Sequence, residues 1–359
     1  MGYVLFALGI ILTIGFHEAG HMSAARACGM RVRRFFIGFG PSLFSFKRGQ
    51  TEYGLKIFPF GGFCDIAGMT NLDTDADEPD AMVKKPWWQR VFVLSGGVIV
   101  NFILGFILLY VVAVGAGLPN PNADYSPRIG EVVAGRPAAT AGLEPGDVIR
   151  AVDGVETESF ASVRQEIQQH PNETITLTIE REGATIDLPI TVGEDAAIGV
   201  VSAPVDAMKQ YGVVEAIPAT AQFSGVMIKG AVQGLMSFPE KLPGVAESVV
   251  GKERDQEGPM SVVGATRIGG QGNWVFMLYL LASLNFFLAL FNLLPVPPLD
   301  GGHIAIVLYE KIRNLIRGRD MGPVDYAKVM PIIWVVSGLL LLIGLITIAA
   351  DVVNPIRLG

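Results

Sequence analysis

The sequence predicts a polytopic α-helical membrane protein with four transmembrane helices, a membrane-associated β-hairpin and a β-rich extracytoplasmic domain. Three observations carry that class. Half of the 359 residues are hydrophobic and only 17% are charged, below the roughly 25% usual for soluble domains. Four apolar stretches reach the ~20 residues that a helix needs to cross a bilayer. Between the second and third lies a long acidic region with strand-like alternation. The formal charge of −7 argues against nucleic acid as a partner.

The first apolar stretch runs from Tyr3 to Cys28. It lacks the basic start and small-residue cleavage site of a secretory signal, so it reads as a retained span. The others run from Val91 to Leu118, Trp274 to Leu294 and Val329 to Ala350. Arg26, Arg31, Arg33 and Arg34 follow the first span, and Lys84, Lys85 and Arg90 precede the second. Lys311, Arg313, Arg317, Arg319 and Lys328 crowd the link between the third and fourth. Basic connections stay inside. Both termini and the long middle region are therefore expected outside, with spans one and three running in the same direction.

Residues 31–65 fit neither a span nor an ordinary loop. Bulky apolar residues alternate with Gly, and "KRGQ" separates two such runs, which reads as a hairpin turn. The segment is apolar enough to dip into the membrane. Non-helical backbone at that depth needs protein or a wet cavity around it, so a water-accessible pocket is expected near the first span. The run "LDTDADEPD", residues 72–80, reads as a solvated acidic loop. Cys28 and Cys64 are too few for a disulfide framework and are expected as free thiols.

Four regions follow: a membrane core over 1–118, an outside domain over 119–202, an amphipathic or linking region over 203–272, and a second membrane core over 273–359. "ETITLTIEREG" gives the outside domain its strand pattern. In the linking region, "ATAQFSGVMIKGAVQGLMSF" suits a helix on the outer membrane surface, or equally one packed on the outside domain. Pro218, Pro239 and Pro243 punctuate it.

The chemistry begins with "HEAGH", residues 17–21. Residues four apart share one helix face, so His17 and His21 can grip one metal. Zinc suits imidazole ligands and, at a catalytic site, keeps a position for water. Glu18 can take that water's proton and pass it to a leaving amine. Three such groups in an apolar span are costly, which marks function. A third ligand is missing locally. His170 falls in the outside domain. Asp300, in "NLLPVPPLDGGH" after the third span, is the better candidate. Pro295, Pro297 and Pro298 should break the helix there and turn a carboxylate back. His17 lies about 20 Å below the start of its span, in the inner half of the bilayer, and Asp300 sits near that depth.

Together, "HEAGH", "GFGP", "FPFGGF" and "NLLPVPPLDGGH" resemble the site-2 protease family of intramembrane zinc metalloproteases, across nearly the whole chain. "ADVVNPIRLG" and "FGGFCDIAGM" look most like its actinobacterial members. The resemblance implies one Zn2+ per chain held by His17, His21 and Asp300, with Glu18 as the base. It places Asn292 against substrate or the developing oxyanion, while His303 is expected to have only a supporting structural role. "IGEVVAGRPAATAGLEPGDVIRAVDGVE" resembles a bacterial PDZ domain, with Pro137, Ala138, Ala139, Gly142, Leu143, Gly146 and Asp147 on its signature.

The expected activity is cleavage of single-span membrane proteins inside the bilayer of a bacterial plasma membrane. By resemblance these are anti-sigma factors already shortened outside by an upstream site-1-type protease. A transmembrane helix must unwind to be cut. The hairpin would offer it a strand edge, with Gly38, Gly40, Gly61 and Gly62 permitting close approach. Two other classes remain open: a membrane zinc transporter, and a non-catalytic PDZ scaffold.

Overall fold

The computed structural model describes residues 1–359 except 121, 122, 125, 203–206, 253, 256, 257 and 357–359, and it leaves the side chains of Pro59 and Phe60 undescribed. The expected boundary after residue 202 and the end of "ADVVNPIRLG" therefore touch positions outside the described residues. The chain divides into two compact units, Met1–Val112 with Val213–Gly359, and Ala113–Gly212.

In the first unit, α1 (Gly2–Ala27) leads into β1 (Val32–Arg48) and β2 (Thr51–Ile66), then α2 (Trp87–Leu94) and α3 (Gly96–Gly115). The second unit contributes β3 (Leu118–Pro119), β4 (Ile129–Val132), α4 (Pro137–Thr140), β5 (Val148–Val152), β6 (Val155–Glu156) and α5 (Phe160–Ile167). It continues with β7 (Thr174–Arg181), β8 (Ala184–Thr191), β9 (Val200–Ser202) and β10 (Met208–Lys209). The chain then returns to the first unit as α6 (Ala216–Val249), α7 (Val262–Gly269), α8 (Trp274–Asn292), α9 (Asp300–Arg317) and α10 (Tyr326–Val353).

Four helices, α1, α3, α8 and α10, are long and apolar enough to cross a membrane. They match the four expected spans in place. The second differs in its start: the stretch from Val91 is divided, and α2 ends at Leu94 before α3 begins at Gly96. The small residues at this junction let two backbones meet. A Cβ on Gly96 would stand 2.6 Å from the Gly20 carbonyl oxygen, so α1 and α3 pack at a distance that only glycine permits.

The segment 31–65 forms more than a hairpin. Gly49 and Gln50 make the expected turn, with Arg48 opposite Thr51. Residues Arg34 to Ile37 then pair on one side with Asp65 to Gly62, and on the other with Glu52 to Leu55. The start of β1 thus lies between the two halves of β2. The stretch from Gly61 to Ile66 becomes an outer strand of that small sheet and lies beside α1.

The acidic run is not free in solvent. Arg33 bonds Asp65, Asp73 and Asp75 at 2.6 to 3.2 Å, and Arg31 pairs with Asp75 and Asp80 at 3.2 Å. The excess of Lys and Arg that reads as a topology signal also ties this loop to the sheet. Cys28 and Cys64 are free.

Helix α6 is continuous through Pro239 and Pro243. Its first half packs along the bundle, where Phe223, Met227 and Ile228 meet Leu109 of α3 and Phe286 of α8. Ala216, Thr220 and Ser224 are its buried positions there. Their spacing of four puts small residues on one face, which explains the close approach. Helix α9 is amphipathic in the opposite sense to a soluble helix. Leu308, Tyr309, Ile312, Leu315 and Ile316 are exposed, while Val307 and Glu310 on the other face are buried. An outward apolar face flanked by Lys311 and Arg313 suits the boundary of a bilayer.

The second unit has a four-stranded sheet of order β6-β5-β7-β8 and a separate β4–β9 pair. Period-two alternation in β7 buries Ile175, Leu177 and Ile179 against Ile149, Val152 and Val163. Burying each such side chain contributes about 1.5–3 kcal/mol. Ser159 and Ser162 form a capping box at the start of α5. Asp147, buried, accepts from Arg181 at 2.7 Å and from the Glu144 amide at 2.8 Å.

Candidate metal centre

His17 and His21 project from one face of α1, as their spacing requires. Asp300 arrives from the far end of the sequence. Helix α8 stops at Asn292, the proline-rich connection turns the chain, and Asp300 is the first residue of α9. The turn is tight because Gly301 and Gly302 lie against the backbones of Leu293 and Pro297, with no room for a Cβ.

The three ligand atoms form a nearly equilateral triangle. Nε2 of His17 and Nε2 of His21 are 3.3 Å apart. Asp300 Oδ2 is 3.4 Å from the first and 3.3 Å from the second. Zinc bound tetrahedrally at about 2.0–2.1 Å spaces its ligands by about 3.3–3.4 Å. The donor set therefore fits one zinc ion. Among the described residues this is the one group of three His, Cys, Asp or Glu side chains with converging ligand atoms.

The polar atoms around the triangle agree. His21 Nδ1 donates to the Val93 carbonyl at 2.9 Å, which leaves Nε2 free as a ligand, the usual arrangement for a metal histidine. Asp300 Oδ2 is buried with no hydrogen-bond donor of its own, and such an acceptor is costly unless a cation meets it. Burial pushes the Asp300 carboxyl up, but the two imidazoles outweigh that and hold it below the usual carboxylate range. It is an anion at neutral pH, as a ligand must be.

Glu18 lies beside the triangle and against β2. A Cβ on Gly62 would stand 3.0 Å from Glu18 Cγ. Gly38, Gly40 and Gly61 hold left-handed φ angles of 91°, 86° and 105° in the same sheet. Of the glycines expected to bind substrate, Gly62 is the one that lies against Glu18. Asn292 is half-buried at the last turn of α8. His303 bonds the Tyr326 hydroxyl at 3.0 Å, and burial holds its imidazole below the ordinary range.

The sequence reading missed Gly97. A Cβ there would lie 2.5 Å from His17 Cε1 and 2.5 Å from His21 Nε2. It also missed Val93, which orients His21. Arg90, counted there among loop charges, is buried and paired with Glu310 at 2.5 Å. Contacts across so much sequence leave no local spacing to read.

The chain is similar to known proteins over nearly all of its length. A family model described as Peptidase family M50 matches residues 5–336. The chain is 42% identical to "Zinc metalloprotease Rip1" of Mycolicibacterium smegmatis over 404 aligned positions, covering 100% of this chain and 98% of the relative. It is 41% identical to the protein of the same name from Mycobacterium tuberculosis, covering 99% and 98%. "Metalloprotease MmpA" of Caulobacter vibrioides is 32% identical, with 86% of each chain covered.

Proposed function

Since the chain belongs to peptidase family M50 and is a multi-pass membrane zinc metalloprotease, we propose that it cleaves peptide bonds within transmembrane segments of single-span proteins. The observation that carries this is the meeting of His17, His21 and Asp300 beside Glu18, with His17, Glu18 and His21 on a membrane-spanning helix.

His17, His21 and Asp300 would hold the ion, one per chain. When bound, zinc supplies Lewis acidity and lowers the pKa of a coordinated water to about 7. Glu18 accepts the proton of the attacking water at its carboxylate and delivers it to the departing amine. Gly62, lacking a side chain, leaves room for the Glu18 side chain beside the strand. An unwound substrate adds to the sheet at the strand from Gly61 to Ile66, next to the base, with Gly38, Gly40 and Gly61 admitting its backbone. Asn292 contacts the substrate or the developing oxyanion. The 31–65 sheet lies at membrane depth and keeps a path to water.

The basic connections support active-site access from the cytoplasm, with both termini and the second unit outside, in a bacterial plasma membrane. The second unit acts as a PDZ domain. The groove between α5 and β9, lined by Phe160, Arg164, Val200 and Val201, would take a peptide by strand addition. Its ligands would be substrates trimmed by an upstream protease, with anti-sigma factors the class that the sequence resemblance implies. Transport of zinc leaves Glu18 and the sheet beside it without a role.

The test is cleavage of a reconstituted single-span substrate with a shortened ectodomain, by the wild type and Glu18→Gln, with zinc measured in both. Cleavage lost with zinc retained is the expected result. Equal cleavage by both proteins would remove Glu18 from the reaction.

A further inference from the structure

Helix α2 is only eight residues long, yet it packs on both α1, which carries His17 and His21, and α9, which begins at Asp300. Val93 of α2 accepts the hydrogen bond that orients His21. Arg90, one turn earlier, reaches α9. Its Nη1 donates to Glu310 Oε2 at 2.5 Å, and the two side chains are 7% and 6% exposed. The second Glu310 oxygen accepts from the Val324 amide at 2.7 Å. Helix α9 is the helix whose first residue is Asp300. Val307 of α9 packs in one cluster with Val93 and Leu94 of α2 and with Ala24 and Ala25 of α1.

We propose that Arg90 and Glu310 are positioning residues for the metal centre, clamping α9 to α2 so that Asp300 stands at ligand distance from His17 and His21. The proposal rests on the metal-centre reading. Its physical basis is the stiffness of one helix. Glu310 lies ten residues, about 15 Å, from Asp300 along α9, so a tilt at the ion pair moves the carboxylate. A zinc site tolerates little of this, since its bond lengths are fixed to within about 0.2 Å. A buried ion pair is a poor source of net stability but holds two helices in one register. Among the described residues, Arg90–Glu310 is the ion pair that joins α9 to α2, while nearer Asp300 the His303 imidazole bonds the Tyr326 hydroxyl at the start of α10.

A second buried ion pair gives an internal control. Arg254 and Asp351 pair at 2.6 Å and are each 1% exposed. Asp351 sits near the end of α10 and its other oxygen accepts from the Ser261 amide, away from the ligand triangle.

The experiment follows zinc transfer from the full-length, zinc-loaded protein in detergent to a chromogenic chelator. Wild type, Glu310→Gln, Arg90→Lys and Asp351→Asn are compared, with thermal unfolding recorded on the same samples. Glu310→Gln and Arg90→Lys should release zinc at least about tenfold faster than wild type, in the range seen for outer-shell changes at metal sites. Asp351→Asn should lower the unfolding temperature without speeding release. Should Glu310→Gln fail to fold, Arg90→Lys, which keeps the charge and loses the fork, carries the comparison. Unchanged release in the folded α2–α9 variants overturns the clamp. Equal acceleration by Asp351→Asn does so too, because it would make the effect one of general stability. A wild type that binds no zinc overturns the metal-centre reading itself.

Discussion

Gly97 lies against His17 so closely that a Cβ on it would stand 2.5 Å from the imidazole Cε1. Within a helix, Gly→Ala normally stabilises by roughly 0.8–1.0 kcal/mol. Here the gain is overridden, since the added methyl must displace both ligand rings. Gly97→Ala should fold and yet lose zinc affinity by about 10–100-fold. Gly338→Ala in α10, where a Cβ meets nothing within 4 Å, should leave zinc untouched. Equilibrium zinc competition on the two variants decides the matter, and equal affinities would mean that the rings accommodate the methyl.

Asp300 is separable from the histidines as a ligand. Asp300→Asn keeps the shape of the side chain and removes its charge. The triangle then loses its one anion, and zinc content at a fixed free zinc concentration should fall well below one per chain. Chelator treatment of the wild type should abolish cleavage, and added Zn2+ should restore it. Restoration in the wild type but not in Asp300→Asn at equal zinc is the expected pattern. Full zinc occupancy in Asp300→Asn would make the carboxylate a bystander.

Gly62 tests the proposed role of Glu18 as the base without touching the metal ligands. A Cβ there would stand 3.0 Å from both Glu18 Cγ and the Phe36 carbonyl oxygen. The backbone cannot yield, so the carboxylate must shift. Misplacement by a few tenths of an ångström in a proton-transfer group lowers turnover rather than binding. Gly62→Ala should cut the cleavage rate by about tenfold or more while zinc content stays at the wild-type value. A loss of zinc in parallel would show that the whole of α1 had moved.

The meeting of His17, His21 and Asp300 was legible because each stands in a short pattern of its own. His17, Glu18 and His21 are four residues apart at most, and Asp300 follows a proline-rich break that any reading of helix ends finds. The four spans were legible from length and apolarity alone. What the sequence concealed is contact over distance. Gly96 and Gly97 look like ordinary small residues at the head of an apolar helix, and nothing in the sequence says that Gly20 and His17 stand opposite. Arg90 looks like one more cytoplasmic charge until Glu310 is found beside it. The second pairing of β1 was hidden for a similar reason. Alternation and the Gly49–Gln50 turn specify the hairpin, but the return of Gly62 to Asp65 onto the far side of Arg34 to Ile37 is a tertiary choice.

The second unit carries a pH-dependent link of its own. Burial pushes the Asp147 carboxyl up, but the Arg181 guanidinium and the Glu144 amide outweigh it and hold it below the ordinary range. A group whose pKa is lower in the folded state stabilises that state above its unfolded pKa, about 3.9 for Asp, and the contribution disappears as pH falls through the folded value. The link between the β7 end and the loop Gly142–Asp147 should therefore hold at neutral pH and weaken below about pH 4. Asp147→Asn keeps an acceptor for the Glu144 amide and removes the charge facing Arg181. It should destabilise the unit at pH 7 and flatten the acid dependence, because the titrating group is gone. Hydrogen exchange of the full-length chain, read on the amides of β5 and β7, measures both effects. Protection in Asp147→Asn that still falls between pH 5 and pH 3 as steeply as in the wild type would assign the acid sensitivity to another carboxylate.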